Sequence, residues 1–363
     1  MKLLALKEVY RNEKRVSIAP ENVKKYIAFG IDVFVEKEAG LNAGFSDKEY
    51  EESGAKIVDD INKIISQIDI LIAVQNIDID LTSAKNSLVF IALFNPYIKI
   101  DSAKKFKSST VNAFSMELLP RITRAQSMDV LSSQSNLAGY RAVIDAVYEM
   151  QKAVPMLMTA AGTISAARFM IIGAGVAGLQ AIATAKRLGG IVCAFDVRSS
   201  AKEQVQSLGA KFIEVESEEK VDGVYAKEMS SDYKNKQQEL LKDVVKKQDI
   251  IITTALIPGK KAPILITKEM VNSMKSGSII VDIAAVNGGN CELSKSGEVV
   301  DIGGVKIIGY NNYPSRVAND CSKLYAKNIF NFIEFLIDKE SGKIAIDYDD
   351  EIVKSSLIKN LDI

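Results

Sequence analysis

The segment 169–196 constrains the fold of this chain more than any other part of the sequence. An apolar run (169–172) leads into the turn Gly-Ala-Gly-Val-Ala-Gly (173–178), and a helical pattern (176–188) and a second apolar run follow it. A strand, a glycine-rich turn and a helix in this order are typical of folds that bind a dinucleotide, because the helix start offers N–H groups to phosphates. The segment therefore predicts an α/β domain with a phosphate-binding turn.

Each glycine of this turn has a predicted role. Gly173 permits the tight turn, Gly175 lets the backbone approach a pyrophosphate, and Gly178 lets the helix pack closely on the strand. Asp196 ends the second strand, 23 positions after Gly173. A carboxylate there accepts hydrogen bonds from ribose hydroxyls and repels the additional phosphate of NADP, although Arg198 nearby could accommodate that phosphate. We give Asp196 more weight, since it stands at the strand end, and expect NAD(H).

Apolar runs alternate with helical patterns along most of the chain. Before a long helix predicted at about 133–152, the runs that indicate strands are 3–7, 32–36, 68–73, 88–93 and 111–116. After that helix they are 169–172, 192–195, 211–215, 250–254, 279–283 and 305–308. Such alternation indicates parallel sheets with helices on both faces. Residues 216–239 break the rhythm and are interpreted as a long surface loop, with a solvated helix at 234–247 as the alternative for the second half.

A length of 363 residues suggests two domains, each large enough for its own core. The expected fold class is α/β, with two Rossmann-like, doubly wound parallel-sheet domains separated by a cleft. The first domain is expected to comprise residues 1–132 and to be completed by C-terminal helices within 315–363. The second, nucleotide-binding domain is expected to comprise residues 133–314. An amphipathic helix predicted at 320–337 would pack back on the first domain.

Composition excludes several classes of function. Lys plus Arg and Asp plus Glu both number 46, so no net field attracts nucleic acid or an anionic membrane. The N-terminus is too short and too soon charged for a signal peptide, and no apolar stretch reaches the roughly 20 residues of a spanning helix. We expect a soluble chain that binds no nucleic acid and does not insert into a membrane. Cys193, Cys291 and Cys321 are expected to be reduced, buried thiols of a cytosolic protein.

The sequence contains no histidine. Nucleophilic schemes that pair Ser or Cys with His, and a His-ligated zinc site, are therefore excluded, and no metal site is predicted. Hydride exchange with a carbonyl or an imine also moves a proton, for which His, Lys or Tyr is usual. Exchange between two nicotinamides moves no proton at the reacting carbons and needs proximity and orientation only. The missing histidine favours the second task, although Lys or Tyr could serve the first.

A polar loop at residues 121–132 is the second informative segment. It combines five polar side chains without a strand or helix period: Arg121, Arg124, Gln126, Asp129 and Ser132. Ser132 or Ser133 is predicted to cap the helix that follows. Convergent charged and amide groups at a helix start indicate a site that holds a polar ligand.

These segments resemble the NAD(H)-binding α subunits of proton-translocating nicotinamide nucleotide transhydrogenases. The resemblance extends over nearly the whole chain. Besides the polar loop and the glycine turn, it includes Arg-Val-Ser-Ile-Ala-Pro (15–20), Met-Thr-Ala-Ala-Gly-Thr (158–163), Ala-Lys-Glu-Gln-Val (201–205), Tyr-Ala-Lys-Glu-Met-Ser (225–230), Thr-Thr-Ala-Leu-Ile-Pro-Gly (253–259) and Gly-Gly-Asn (288–290). Motifs of this length are specific.

The resemblance implies roles for the matching residues. Four residues of the polar loop would lie around the nicotinamide and its ribose: Arg121, Gln126, Asp129 and Ser132. Gln126 would be directed toward the partner nucleotide. Contacts with NAD(H) are implied for further residues: Ser127, Met128, Gly173, Gly175, Val176, Gly178, Asp196, Val197, Arg198, Val224, Tyr225 and Leu256. Tyr225 would lie in a mobile loop that closes over NAD(H), although the glycine that precedes this tyrosine in the family is Val224 here.

The activity implied by the resemblance is that of an enzyme that works only with partner subunits. Hydride would pass directly between NADH on this chain and NADP+ on an NADP(H)-binding β subunit. Membrane-spanning subunits would couple this transfer to proton translocation. The chain would form a homodimer and would be cytoplasmic, as a peripheral component at the inner face of the cell membrane. Because the chain ends at Ile363, it resembles the form in which the α subunit is split.

Alanine dehydrogenase, from the same superfamily, is the main alternative. It needs an active-site His, a substrate-binding Lys and an Asp just before a Gln-Gly-Gly segment. Here His is absent, the Lys position corresponds to Ala73, and Val286 precedes Asn-Gly-Gly (287–289). Arg15 is shared by both activities and does not discriminate between them. A non-enzymatic, NAD-sensing protein is a further alternative.

Overall fold

The computed structural model describes residues 1–215, 231–256 and 261–362. The chain divides into two compact units, which are described separately. Unit 1 comprises Met1–Gln134 and Pro314–Ile363, and unit 2 comprises Ser135–Tyr313. Within the described ranges, no helix is long and apolar enough to cross a membrane.

The strands are β1 (Lys2–Ala5), β2 (Asp32–Glu36), β3 (Lys56–Val58), β4 (Ile70–Gln75), β5 (Val89–Leu93), β6 (Asn112–Ser115), β7 (Leu157–Thr159), β8 (Gly162–Ile164), β9 (Arg168–Ile172), β10 (Ile191–Phe195), β11 (Lys211–Ile213), β12 (Ile250–Thr253), β13 (Ile279–Asp282), β14 (Val299–Ile302) and β15 (Val305–Ile308). The helices are α1 (Pro20–Ala28), α2 (Asp47–Glu52), α3 (Ile100–Lys107), α4 (Val130–Glu149), α5 (Val176–Arg187), α6 (Ala201–Ser207), α7 (Ser231–Val245), α8 (Lys268–Ser273), α9 (Ala318–Leu336) and α10 (Glu351–Ser356).

Unit 1 is built on a parallel sheet with the strand order β3-β2-β1-β4-β5-β6. The chain runs outward from β1 to β3, returns to the centre, and continues in the other direction from β4 to β6. The order therefore reverses between β1 and β4. Ligands bind at such reversal points in open α/β sheets, beyond the carboxyl ends of the strands.

The side chains of β1 explain why this strand lies in the middle of the sheet. Leu3 and Ala5 point into one core, which includes Tyr26 of α1. Leu4 points into a second core on the other face, together with Phe90 of β5. Because successive residues alternate between the faces and both faces are covered, the strand is apolar without alternation.

The helix predicted at 320–337 is present as α9, and it packs within unit 1. Phe332 of this helix meets Phe114 of β6 edge-on, with ring centroids 5.2 Å apart. The hydroxyl of the buried Tyr325 donates to the carbonyl of Ala73 in β4 at 3.0 Å. The C-terminal part of the chain is therefore integrated into the core of unit 1.

Unit 2 contains a second sheet, with the order β11-β10-β9-β12-β13-β15-β14. Its strands pair in parallel except β14, which runs antiparallel to β15 at the edge. The strand order reverses between β9 and β12, as it does between β1 and β4 in unit 1. Both units are doubly wound α/β sheets, which confirms the predicted fold class.

Three features of unit 2 differ from the sequence interpretation. The edge strand β14 and the exposed antiparallel hairpin formed by β7 and β8 were not predicted. The loop predicted over 216–239 is wrong from Ser231 onward, where α7 begins; residues 216–230 lie outside the described residues. Leu241 and Val245, four positions apart, are fully buried on one face of α7, and this helical spacing outweighs the polar composition of the segment.

The three cysteines of the sequence all lie in described ranges and remain thiols. Cys291 and Cys321 are buried and Cys193 is half-buried. Burial raises the pKa of Cys193 and of Cys291 to about 11 and that of Cys321 to about 12. All three are therefore protonated and weakly nucleophilic at neutral pH.

Candidate functional site

The glycine turn of unit 2 follows β9 at the carboxyl edge of the sheet. Gly173 has a φ of 96°, a conformation that favours glycine, and Gly175 forms the N-cap of α5. Thr254, which follows β12, donates from Oγ1 to the carbonyl of Gly173 at 3.0 Å. The turn therefore lies where the strand order reverses, which is where open α/β sheets bind ligands.

Two glycines of the turn differ in what surrounds them. A Cβ atom on Gly178 would lie 1.8 Å from the carbonyl oxygen of Gly173, so the close packing of α5 on the turn requires glycine. A Cβ atom on Gly175 would meet no protein atom within 4 Å, and the φ of −78° at this residue suits any side chain. The space in front of Gly175 is therefore open at a helix start, where backbone N–H groups fit a phosphate.

Asp196 joins the end of β10 to the glycine turn. Its Oδ2 atom accepts the backbone N–H of Ala174 and Nη2 of Arg198, both at 2.7 Å. Its Oδ1 atom accepts the backbone N–H and Nε of Arg198 at 2.8 and 2.9 Å. The side-chain hydrogen bonds of this bidentate pair raise the pKa of Arg198. The arginine that the sequence suggested as a competitor of Asp196 is thus its direct partner.

The other residues of unit 2 with an implied nucleotide contact differ in exposure. Val176 and Leu256 are 40% and 42% exposed beside the turn, so they offer apolar surface to a ligand. Val197 is partly buried against the core of unit 2. Val224 and Tyr225 lie outside the described residues.

Asn290 has a role in this region that the sequence did not reveal. Its fully buried side chain accepts the backbone N–H of Ala255 at 3.0 Å and donates to the carbonyls of Ala255 and Pro263, both at 2.9 Å. It therefore holds both ends of the segment that carries Leu256. The Gly-Gly-Asn motif (288–290) was the one signal in the sequence, and it did not reveal which groups the amide binds.

In unit 1 the polar loop is more regular than predicted. Thr123–Met128 form a 3-10 helix, and α4 begins directly after Asp129. The carboxylate of Asp129 accepts the backbone N–H of Ser132 at 2.9 Å and its hydroxyl at 2.5 Å. Asp129 therefore caps α4, and the prediction that Ser132 or Ser133 caps it is wrong, because the helix begins earlier than the apolar pattern indicated.

The contact residues implied for the polar loop are not equally accessible. Five are at least partly exposed: Arg121, Gln126, Ser127, Asp129 and Ser132. The side chain of Met128 is buried in the core of unit 1 and is not available to a nucleotide. Arg124 forms an ion pair of 2.8 Å with Asp350, the N-cap residue of α10, and this pair attaches the loop to the C-terminal part of unit 1.

A buried ion pair lies close to the carboxyl end of β4 in unit 1. Arg15 donates to Glu13 through Nε and Nη2 at 2.8 and 2.6 Å, and its Nη1 donates to Gln134 at 2.9 Å. Gln75 donates to Glu13 at 3.1 Å. Burial opposes the ionisation of Glu13, but Arg15 outweighs it and lowers the pKa of Glu13 to about 2. Burial and the charge of Glu13 raise the pKa of nearby Glu8 to about 8.

The structure also changes the comparison with the substrate-binding lysine of alanine dehydrogenase. Ala73, matched with that lysine in the sequence, is fully buried in a core of unit 1. Gln75 is the side chain of β4 that reaches the ion pair between Glu13 and Arg15. Neither residue carries an amine. Among the described residues, no group of three or more Cys, Asp or Glu side chains could hold a metal ion.

A doubly wound parallel sheet, a glycine turn at its reversal point and open space before Gly175 define a dinucleotide-binding α/β protein. Residues 4–138 match the family model of the alanine dehydrogenase/PNT N-terminal domain, and residues 142–360 match that of the C-terminal domain. The chain belongs to the alanine dehydrogenase/PNT family. The resemblance found in the sequence motifs is thereby confirmed, and the chain is an oxidoreductase.

Similar proteins lie on the transhydrogenase side of this family. The chain is 49% identical to an NAD(P) transhydrogenase subunit alpha of Rickettsia prowazekii, over 99% of this chain and 94% of that protein. It is 48% identical to the protein of the same name from Rhodospirillum rubrum, over 99% and 96% of the two chains. The crystal structure of transhydrogenase from Sinorhizobium meliloti has a TM-score of 0.89 and 46% identity, and the match covers 98% of each chain.

Proposed function

We propose that this chain is the NAD(H)-binding component of a proton-translocating transhydrogenase. NAD(H) binds to unit 2 with its pyrophosphate at the glycine turn, and hydride passes directly between NADH and NADP+ held by a partner subunit. The open space before Gly175 carries the proposal for the cofactor. The 49% identity to a transhydrogenase α subunit supports the proposal for the reaction.

The residues of this chain act by binding and orienting. Backbone N–H groups at the start of α5 bind the pyrophosphate, and the pair of Asp196 and Arg198 serves the adenosine side. The polar loop of unit 1 orients the nicotinamide through four side chains: Arg121, Gln126, Asp129 and Ser132. The nicotinamide supplies the hydride, so no side chain has to exchange a proton with the reacting carbons. A sequence without histidine is suited to this task.

The proposed assembly has three kinds of partner. A second copy of the chain forms a homodimer, which is supported by the exposed hairpin of β7 and β8; Met158 on this hairpin is 80% exposed. An NADP(H)-binding β subunit exchanges hydride with this chain. Membrane-spanning subunits couple the exchange to proton translocation, and the chain lies as a peripheral component at the cytoplasmic face of the membrane.

The alternative activity, oxidation of an amino acid, is less well supported by unit 1. The guanidinium of Arg15, which both activities share, is bound to Glu13 and Gln134 and so is already neutralised. Gln75 provides no amine beside it. The sequence also offers no histidine as acid or base for the proton that accompanies hydride transfer to an imine.

The test mixes the purified chain with the NADP(H)-binding subunit. We expect NADH to reduce a thionicotinamide analogue of NADP+, followed by the absorbance of the reduced analogue, only when both proteins are present. Oxidation of NADH by the chain alone with pyruvate and ammonia would support the amino-acid dehydrogenase instead. Tight binding of NADH without hydride exchange in the mixture would contradict the proposal and favour an NAD-sensing protein.

A further inference from the structure

The polar loop is attached to α9 through a single carbonyl oxygen. Asn328 and Asn331 of α9 both donate to the carbonyl of Ser127, at 2.8 and 2.9 Å. These bonds fix the backbone directly after Gln126. Asn328 is only 8% exposed, so water competes little for its amide.

Asn328 is also one end of a series of hydrogen bonds that leads into the core of unit 1. Ser133 Oγ donates to Asn328 Oδ1 at 2.7 Å, and Gln134 Nε2 donates to Ser133 Oγ at 3.2 Å. Gln134 Oε1 in turn accepts Nη1 of Arg15 at 2.9 Å. We call these four residues the relay: Arg15, Gln134, Ser133 and Asn328.

The buried members of the relay have well-defined orientations. Gln134 uses its oxygen for Arg15 and its amide nitrogen for Ser133 and for the carbonyl of Cys321, the last at 3.1 Å. Arg15 uses its remaining nitrogens for Glu13. A buried amide whose oxygen faces a guanidinium cannot be turned around without bringing donor against donor. The orientation of Arg15 therefore determines which way the amide of Gln134 faces.

We propose that Arg15 is a positioning residue for the polar loop, whose backbone it fixes through the relay. The effect on hydride transfer rests on the proposed function, whereas the effect on loop order does not. The relay gives a task to an arginine that two different activities share. In this chain the guanidinium is directed at protein groups of unit 1, and it acts on the reaction only through the loop.

The relay makes the rate of hydride transfer more sensitive than the affinity for NADH. A small displacement of a reacting group can cost up to about a hundredfold in rate. The pyrophosphate and adenosine contacts proposed for unit 2 do not involve the relay. Loss of a relay bond should therefore slow transfer and leave NADH affinity nearly unchanged.

The first test measures amide hydrogen exchange of residues 123–132 in the purified chain. Asn328→Ala and Gln134→Leu each break one link of the relay. Asn319→Ala is the matched control, because Asn319 lies on the same helix and donates to the carbonyl of Ala43, outside the polar loop, at 2.8 Å. We expect exchange in 123–132 to become about tenfold faster in the two relay variants, the effect of one lost hydrogen bond, and to stay unchanged in the control.

The second test measures hydride transfer with the NADP(H)-binding subunit and NADH affinity by fluorescence. Asn328→Ala, Gln134→Leu and Arg15→Lys should each slow transfer about tenfold or more while the dissociation constant changes less than about threefold. If the unmodified mixture shows no transfer, the proposed function fails and the exchange experiment alone decides on the relay. If Asn328→Ala and Asn319→Ala give the same exchange rates in 123–132, the relay does not position the loop.

Discussion

The carboxylate of Asp196 accepts a hydrogen bond from the backbone N–H of Ala174 at 2.7 Å, which ties the end of β10 to the glycine turn. The same carboxylate forms a bidentate ion pair with Arg198. The residue expected to bind the ribose therefore also holds the phosphate-binding turn and a cation. Choice of cofactor and shape of the turn depend on one side chain.

Asp196→Asn should weaken NADH binding and reduce the discrimination against NADPH. The substitution removes the negative charge that repels a ribose phosphate, and it releases Arg198 to bind one. The dissociation constants of both nucleotides are measured by fluorescence titration of the purified chain. We expect the ratio of the NADPH constant to the NADH constant to fall at least about tenfold, a change of about 1.4 kcal/mol. Asp243→Asn, on the exposed side of α7, is the control, and an unchanged ratio in Asp196→Asn would argue against the assignment.

Gly175→Ala and Gly178→Ala should separate binding from stability. The methyl group at 175 meets no protein atom, so stability should stay within about 1 kcal/mol of the parent chain. It would, however, occupy the space proposed for the pyrophosphate, so NADH affinity should fall more than about tenfold. The methyl group at 178 would collide with a carbonyl oxygen, and we expect a loss of about 1–3 kcal/mol in urea unfolding. Unchanged NADH affinity in Gly175→Ala would remove the main support for the nucleotide site.

Gln126→Asn should slow hydride transfer far more than it weakens NADH binding. The shorter side chain keeps the amide but withdraws it from the partner nucleotide, so the loss is one of orientation. Single-turnover transfer in the mixture with the NADP(H)-binding subunit should fall at least about tenfold, while affinity changes less than about threefold. Gln206→Asn, an exposed residue of α6, controls for the substitution itself. Equal losses of rate and affinity would refute the proposed role.

Glu8 should make unit 1 less stable as the pH rises. Its pKa is about 8 in the folded chain against an ordinary value of 4.5, so between these values the unfolded state has released a proton that the folded state retains. Rising pH therefore favours unfolding over this window, by at most about 1.4 kcal/mol per pH unit from this group. Glu8→Gln should flatten the pH dependence of urea unfolding between about pH 5 and 8, whereas Glu51→Gln, on the exposed surface of α2, should not. A parallel pH dependence in the parent chain and Glu8→Gln would contradict the assignment.

The fold could be predicted largely from the sequence because the central strands are continuous apolar runs. β4 and β12 are covered on both faces, so burial leaves an unambiguous pattern. β3 and β14 escaped prediction for the opposite reason. Both lie at sheet edges, β3 has only three residues, and the side chains of β14 alternate between exposed and partly buried.

Much less of the site could be predicted from residue types alone. The glycine turn has a spacing that reflects backbone geometry, so its three glycines could be assigned separate roles. The helix cap at Asp129 was missed because neighbouring serines are equally good caps and the apolar pattern indicated a later helix start. The link between Arg15 and Asn328 spans more than 300 positions of the sequence, and no local pattern reports such a contact.

The protonated thiols of this chain make it suitable for selective labelling. Cys193, Cys291 and Cys321 have pKa values of about 11 or above, so few thiolates are present at neutral pH. A cysteine introduced on the surface, for example by Tyr148→Cys at a position that is 84% exposed, would react with a maleimide far faster than the native three. Pairs of spin labels or fluorophores could therefore be attached without first removing any native residue, and the distance between the two units could be measured with and without NADH.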